Sequence, residues 1–94
     1  MARPKIKEEV DIEKKEAYIS RELGAVLIDY ETGKYYETND TGTFIVTLLR
    51  NARIKTVDQM IDMICEEYEV DRDIALQDFN EFVEKLEKYG LIEE

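Results

Sequence analysis

Three short runs of β-forming residues in the first half of the chain predict a small antiparallel sheet. Residues 17–21, 25–30 and 34–38 are rich in β-branched and aromatic side chains, and turn-forming residues separate the three runs. Glu31-Thr32-Gly33 fits a three-residue hairpin loop, in which the glycine supplies a positive φ. Because strands joined by hairpins form a meander, we expect the second strand in the middle and the third at an edge.

From residue 39 onward, apolar residues recur at helical spacing and predict three helices. The third helix covers residues 72–89 and ends at Gly90. The expected N-cap residues are Asn39 or Asp40, Thr56 and Asp71. The expected apolar positions of the third helix are Ile74, Phe79, Phe82, Val83, Leu86 and Tyr89. A three-stranded antiparallel sheet followed by three helices predicts an α+β fold like a winged helix-turn-helix.

The first residues of the chain are polar, charged and weakly patterned. They predict a flexible N-terminal arm over residues 1–16, ahead of one domain at residues 17–94. No apolar run approaches the roughly 18 residues of a membrane span, and the N-terminus lacks the apolar stretch of a signal peptide. We therefore expect a cytoplasmic protein that does not bind membranes.

The side chains available for catalysis and metal binding are limited. The chain has no histidine, and its single cysteine, Cys65, cannot form an internal disulfide. Zinc, haem and most iron sites lose their commonest ligand, and no Ser-His or Cys-His pair can form. The acidic run at residues 66–73 lacks the spacing of an EF-hand and predicts a solvated turn between helices. We expect no catalytic residue, no metal and no cofactor.

The charge is strongly negative and unevenly distributed. The net charge is −10, and residues 55–94 hold four basic and thirteen acidic side chains. Winged helix-turn-helix domains often bind DNA, but such a surface repels phosphates. We therefore expect neutral or basic partners and no nucleic acid, with a DNA-binding regulator as a weaker alternative.

The third strand and the third helix form the candidate site. An edge strand offers backbone groups to which an extended peptide can add as a further strand. The strand residues are Lys34, Tyr35, Tyr36, Glu37 and Thr38, and the groove wall is predicted to come from Arg72, Ala75, Leu76, Phe79, Asn80 and Val83. The ordinary alternative is that these apolar side chains only fill the core.

The ordered set of local motifs resembles a known family. The motifs are Thr32–Tyr36 at the turn and third strand, Asn39–Gly42 at the first helix start, Thr56-Val57 at the second, Asp78 with Phe82 and Leu86 in the third, and Gly90–Ile92 at the close. Over about residues 17–92 the chain resembles the PqqD family of pyrroloquinoline quinone biosynthesis and its relatives, the recognition elements for precursors of ribosomally made, modified peptides. Thr38 departs from the family, which usually has leucine there.

The resemblance implies a non-enzymatic module that captures the leader segment of a precursor peptide. The leader would add as a strand beside Lys34–Thr38, in the cleft with the third helix, and be presented to a modifying enzyme. That enzyme would be a radical SAM enzyme, a cyclodehydratase or a leader peptidase, and the module itself a monomer or weak dimer. The alternative is an acidic winged-helix adaptor or dimerisation module that binds a folded protein through the same edge.

Overall fold

The computed structural model describes residues 3–14 and 25–93. Its elements are β1 (Lys5–Ile6), β2 (Val10–Lys14), β3 (Ala25–Asp29), β4 (Lys34–Thr38), α1 (Asp40–Arg50), α2 (Val57–Tyr68), α3 (Arg72–Lys88) and β5 (Ile92–Glu93). The predicted α+β class, with a three-stranded antiparallel sheet followed by three helices, is confirmed. Within the described ranges, no helix is long and apolar enough to cross a membrane.

The three-stranded sheet has the order β2-β3-β4, and both pairs are antiparallel. In the second pair Leu27 is opposite Tyr36, and Ile28 is opposite Tyr35. The hairpin between β3 and β4 turns at Gly33, whose φ is +74° and whose N–H donates to the Asp29 carbonyl at 2.8 Å. The predicted hairpin glycine and the edge position of β4 are both confirmed.

The first described strand of this sheet differs from the sequence prediction. The sequence predicts a strand at residues 17–21, which lies outside the described residues together with the turn predicted at residues 22–24. Instead, Val10–Lys14 pairs along its whole length with β3. Its strand signal is the brief alternation of Val10 and Ile12 with charged neighbours, which the polar composition around it conceals.

The expected arm at residues 1–16 also needs correction, because residues 5–14 belong to the fold. β1 pairs antiparallel with β5, and Ile6 is buried in the core. The Arg3 guanidinium donates to the Leu49 carbonyl at 2.8 Å and to the Asn51 carbonyl at 3.1 Å. These carbonyls lie at the C-terminal end of α1, where backbone acceptors lack partners within the helix. The segment from Arg3 to Ile6 therefore caps α1 and pairs with β5.

The helix boundaries follow the predicted capping residues. The Asn39 side chain accepts from Gly42 N at the start of α1, and Thr56 forms a capping box with Gln59 at the start of α2. At the end of α3, Gly90 has a φ of +74°, and the N–H of Leu91 donates to the Leu86 carbonyl at 2.9 Å. This is the Schellman arrangement, and it returns the fully buried Leu91 to the core.

The core lies between one face of the sheet and the three helices. Val10 and Leu27 supply it from the sheet and are each 1% exposed. The helical contribution comes from Ile45, Val46, Leu48, Leu49, Met60, Ile61, Ile64, Ala75, Phe79, Val83 and Leu86. The apolar prediction for α3 is correct for Phe79, Val83 and Leu86 only. Ile74 and Tyr89 are exposed and Phe82 is half-buried, because they lie on the neighbouring side of the helix.

Candidate functional site

β4 lies at the edge of the three-stranded sheet, with β3 as its neighbour in the described chain. Successive residues of a strand direct their backbone groups alternately to its two sides. β4 therefore directs part of its main-chain N–H and C=O groups away from β3. An edge of this kind is a template on which another extended chain can pair.

α3 runs alongside β4 in the opposite direction. At one end the rings of Tyr36 and Tyr89 stack with centroids 4.2 Å apart and planes inclined by 14°. At the other end Asn39, directly after β4, lines a cavity together with Asp78 and Phe82 of α3. Tyr36 therefore lies beside the C-terminal end of α3, and Asn39 lies beside the middle of α3.

The space between these elements is the β4–α3 groove. An open cavity of about 260 Å³ adjoins this groove where β4 ends, between the start of α1 and α3. The cavity is lined by Asn39, Thr41, Gly42, Ile45, Asp78, Glu81, Phe82 and Lys85. On α3, the residues Asp78, Phe82, Lys85 and Tyr89 follow at steps of four, three and four, so they share one side of the helix. We call these four residues the groove stripe.

The floor of the groove depends on the close approach of α1 to Phe82. Gly42 is buried, and a Cβ atom there would lie 2.7 Å from Phe82 Cε1. That distance is far inside ordinary contact, so a glycine lets the aromatic ring rest against the first turn of α1. Asn39 Oδ1 accepts from the Gly42 N–H at 2.8 Å and fixes this turn relative to the end of β4.

A second contact holds α1 from its other side. The Tyr68 hydroxyl of α2 donates to Asp40 Oδ2 at 2.9 Å, and its ring meets Phe44 edge to face with centroids 5.6 Å apart. Partial burial, and then the hydrogen bond to the Asp40 carboxylate, raise the pKa of Tyr68 to about 12. The tyrosine therefore stays a neutral donor throughout the physiological range and fixes the first residue of α1.

The predicted strand residues divide between the two faces of the sheet. Tyr36 points toward the core and is half-buried against it, whereas Tyr35 is 72% exposed on the opposite face. Lys34 and Thr38 lie on the same inner face of the sheet as Tyr36. Thr38 Oγ1 lies 2.9 Å from Thr43 Oγ1 of α1. Glu37 shares the outer face with Tyr35. Of the five, Tyr36 contacts the groove stripe, through its stacking on Tyr89.

The predicted wall residues on α3 lie elsewhere than the groove. Ala75, Phe79 and Val83 are at most 7% exposed and belong to the core. Together with Leu86 they form the inner stripe of α3. The structure thus brings these residues to the packed side of the helix.

The remaining predicted wall residues lie beyond the inner stripe. Arg72 hydrogen-bonds Asp62 and pairs with Asp58 at 3.2 Å, so its side chain is directed to α2. Leu76 and Asn80 are exposed. Leu76 is two residues from Asp78, which is about 200° around the helix. The part that Arg72, Leu76 and Asn80 play in peptide binding stays a prediction.

The sequence does not predict the groove stripe as part of the site. Phe82 and Tyr89 are predicted as apolar positions of the third helix, and Asp78 and Phe82 are motif residues of the family resemblance. The available signal was the combination of charged and aromatic residues at helical steps from 78 to 89. A stripe that carries Asp78 and Lys85 cannot be fully buried without a partner for each charge.

The chemistry that this site offers is binding. Among the described residues, no group of three or more Cys, Asp or Glu side chains is placed to hold a metal ion. Cys65 is half-buried in α2, away from the groove lining. The groove combines a strand edge, aromatic rings and a few charges, which suits recognition of an extended peptide.

Comparisons with known proteins point the same way. Residues 24–92 match the family PqqD, described as coenzyme PQQ synthesis protein D. A solved structure, TbiB1 in complex with the TbiA(beta) leader peptide, has 28% sequence identity and a TM-score of 0.70. That similarity covers 95% of this chain and 94% of the other. A search of curated proteins finds no match. The family match includes both β4 and α3.

Proposed function

Because the chain belongs to the PqqD family, we propose that it binds the leader segment of a ribosomally synthesised precursor peptide. The observation that carries this proposal is the β4 edge facing the groove stripe of α3. It is supported by the similar fold of TbiB1, which was solved in complex with a leader peptide. The leader would add to the sheet as a further strand beside β4.

In strand addition, the backbone and the side chains of the site have different roles. The proposal rests on the first part of β4, Lys34–Tyr36, whose main chain would supply hydrogen bonds that any sequence can form. Every second side chain of the guest would then point into the groove, where Tyr36, Phe82 and Tyr89 offer apolar contact. Backbone pairing thus gives affinity, and the groove stripe gives selectivity.

The binding module would act without catalysis of its own. A domain that holds the leader leaves the rest of the precursor free for another protein to modify. We propose that it presents the precursor to a maturation enzyme, such as a radical SAM enzyme, a cyclodehydratase or a leader peptidase. The outer face of the sheet, with Tyr35 exposed, remains accessible while the groove is occupied.

A peptide titration tests this proposal. The probes are the N-terminal segments of any short peptides encoded next to this gene, added to the full chain while backbone amide shifts are followed by NMR. We expect saturable shifts at Tyr35 and Tyr36 and along the groove stripe, with a dissociation constant in the micromolar range or below, as for other modest interfaces. A scrambled peptide is the control. Shifts confined to residues outside β4 and α3 would show that the site is elsewhere.

A further inference from the structure

The two ends of the β4–α3 groove carry opposite charge. Asp78 and Glu81 line the cavity at the end of β4. At the other end, Lys34 begins β4 and Lys88 precedes Tyr89, whose ring stacks on Tyr36. Lys85 lines the same cavity as Asp78 and Glu81 and offsets one of their two negative charges. The groove therefore keeps a net negative charge where β4 ends and is basic where β4 begins.

These charges form no salt bridge among the described residues, although Lys34 lies opposite the buried Asp29 in the register of β3 and β4. Glu81 accepts a hydrogen bond from the Gln77 amide at 3.2 Å, which leaves its charge in place. The salt bridges found among the described residues join Arg50 with Asp11, and Arg72 with Asp58 and Asp62. None of them involves Asp78, Glu81, Lys34 or Lys88. A guest strand is thus the partner that can complement both ends.

We propose that the groove selects leader segments that carry a basic side chain for the Asp78/Glu81 end and an acidic side chain for the Lys34/Lys88 end, on either side of an apolar residue. This inference rests on the proposed function. β4 spans about 16 Å from Lys34 to Asn39 at roughly 3.3 Å per residue. The two charges of the guest are therefore about four to six residues apart, and the apolar side chain between them packs on Tyr36 and Phe82.

The opposite charges at the two ends of the groove also determine whether the guest strand runs parallel or antiparallel to β4. A strand antiparallel to β4 enters at the acidic end, so its basic residue precedes its acidic one. A parallel strand has the reverse order. Since backbone pairing alone permits both directions, the charged ends of the groove favour a single direction for a given leader.

The test selects a displayed library of random 12-residue peptides on the full chain. It is repeated on the groove variant Asp78→Lys/Glu81→Lys, with Glu84→Lys/Glu87→Lys as the matched control. Both variants make the same change in net charge on α3, but Glu84 and Glu87 lie outside the cavity lining. Helical circular dichroism establishes that each variant is folded, and backbone amide shifts establish where the selected peptides bind.

Peptides selected on the natural sequence should share the basic–apolar–acidic pattern and bind beside β4. Their affinity for the groove variant should be lower by about tenfold or more, because two attractive charge contacts become repulsive. Their affinity for the control should change by less than about twofold, because Glu84 and Glu87 lie outside the cavity lining and exposed charges contribute modestly. Changing the basic residue of such a peptide to glutamate should restore its affinity for the groove variant. The difference should shrink at high salt.

Two other results would each overturn a different claim. Peptides that bind beside β4 without a charge pattern, or that weaken equally on both variants, would overturn the inference about charge and leave the proposed function standing. If the library yields no binder, or only peptides that bind away from β4, the proposed function fails and this inference fails with it.

Discussion

The inner stripe and the groove stripe of α3 each contain a phenylalanine, but the two stripes have different roles. Phe79 of the inner stripe is 2% exposed and packed on all sides, whereas Phe82 of the groove stripe is half-buried against Gly42. The difference lies in the accompanying residues. The inner stripe is apolar throughout, but the groove stripe includes Asp78 and Lys85, which require solvent or a partner. One helix can thus serve both the core and a binding surface, with the two stripes only a fraction of a turn apart.

The difference between the two stripes is tested most strongly by replacing Phe79 and Phe82 with alanine, one at a time. We expect Phe79→Ala to lower the free energy of unfolding by about 3–5 kcal/mol, because it leaves a cavity in the core. Phe82→Ala should cost roughly 1 kcal/mol, since part of its ring is already in contact with water. Urea denaturation of both variants measures the difference. Equal losses would mean that Phe82 is a core residue and that no groove stripe exists.

The second prediction concerns peptide affinity and rests on the proposed function. Phe82→Asp should weaken binding by about tenfold or more, because it places a charge where the guest needs an apolar contact. Leu76→Asp is the matched control, being an exposed apolar residue on the opposite side of the same helix. It should change the affinity by less than about twofold in fluorescence or calorimetric titrations. A large effect of Leu76→Asp would restore the wall predicted from the sequence.

The third prediction targets the contact between α1 and the groove stripe. In Gly42→Ala, the added methyl group meets the Phe82 ring, and overpacking of this kind costs about 1–3 kcal/mol. The better helix propensity of alanine offsets roughly 1 kcal/mol of that. We expect a net loss of about 1 kcal/mol, together with a shift of the Phe82 ring resonances. Adding Phe82→Leu should relieve the clash, and a double-mutant cycle should show the coupling. Additive effects would show that Gly42 and Phe82 do not touch.

The smallest expected effect is the pH dependence at Tyr68. Its pKa is about 12 in the folded protein, against about 10 for an unperturbed tyrosine. Between these values the unfolded chain binds fewer protons than the folded one, so the stability from this group falls as the pH rises from 10 to 12. The stability difference between the natural sequence and Tyr68→Phe, about 1 kcal/mol or less at pH 8, should shrink at pH 11. Parallel curves for the two proteins would exclude this linkage.

Local signals account for the parts of the fold that could be predicted. Thr56 with Gln59, Gly33 and Gly90 each fix a helix end or a turn through contacts within a few residues, and the predicted boundaries were confirmed there. The order of the predicted strands along the chain then predicted that β4 lies at the edge of the sheet. These are features that neighbouring residues determine by themselves.

The parts that were not predicted depend on distant residues. β1 and β5 are two residues long each, and only their pairing across the whole chain makes them strands. The choice between the stripes of α3 has the same origin. Phe82 could equally have filled a core, and it lines a groove only because Gly42, forty residues earlier, admits its ring. Sequence periodicity gives the composition of each side of a helix but not what each side meets.

The pairing of β1 with β5 has a consequence for the covalent layout of the molecule. Lys5 is opposite Glu93 in an antiparallel pair, so their Cα atoms lie about 5 Å apart. A linker of a few residues between Lys5 and Glu93 would therefore join these two positions covalently and close the backbone between them into a ring. In such a circularly permuted protein, new termini could be opened at the exposed turn between Glu31 and Gly33 while every strand keeps its present neighbours.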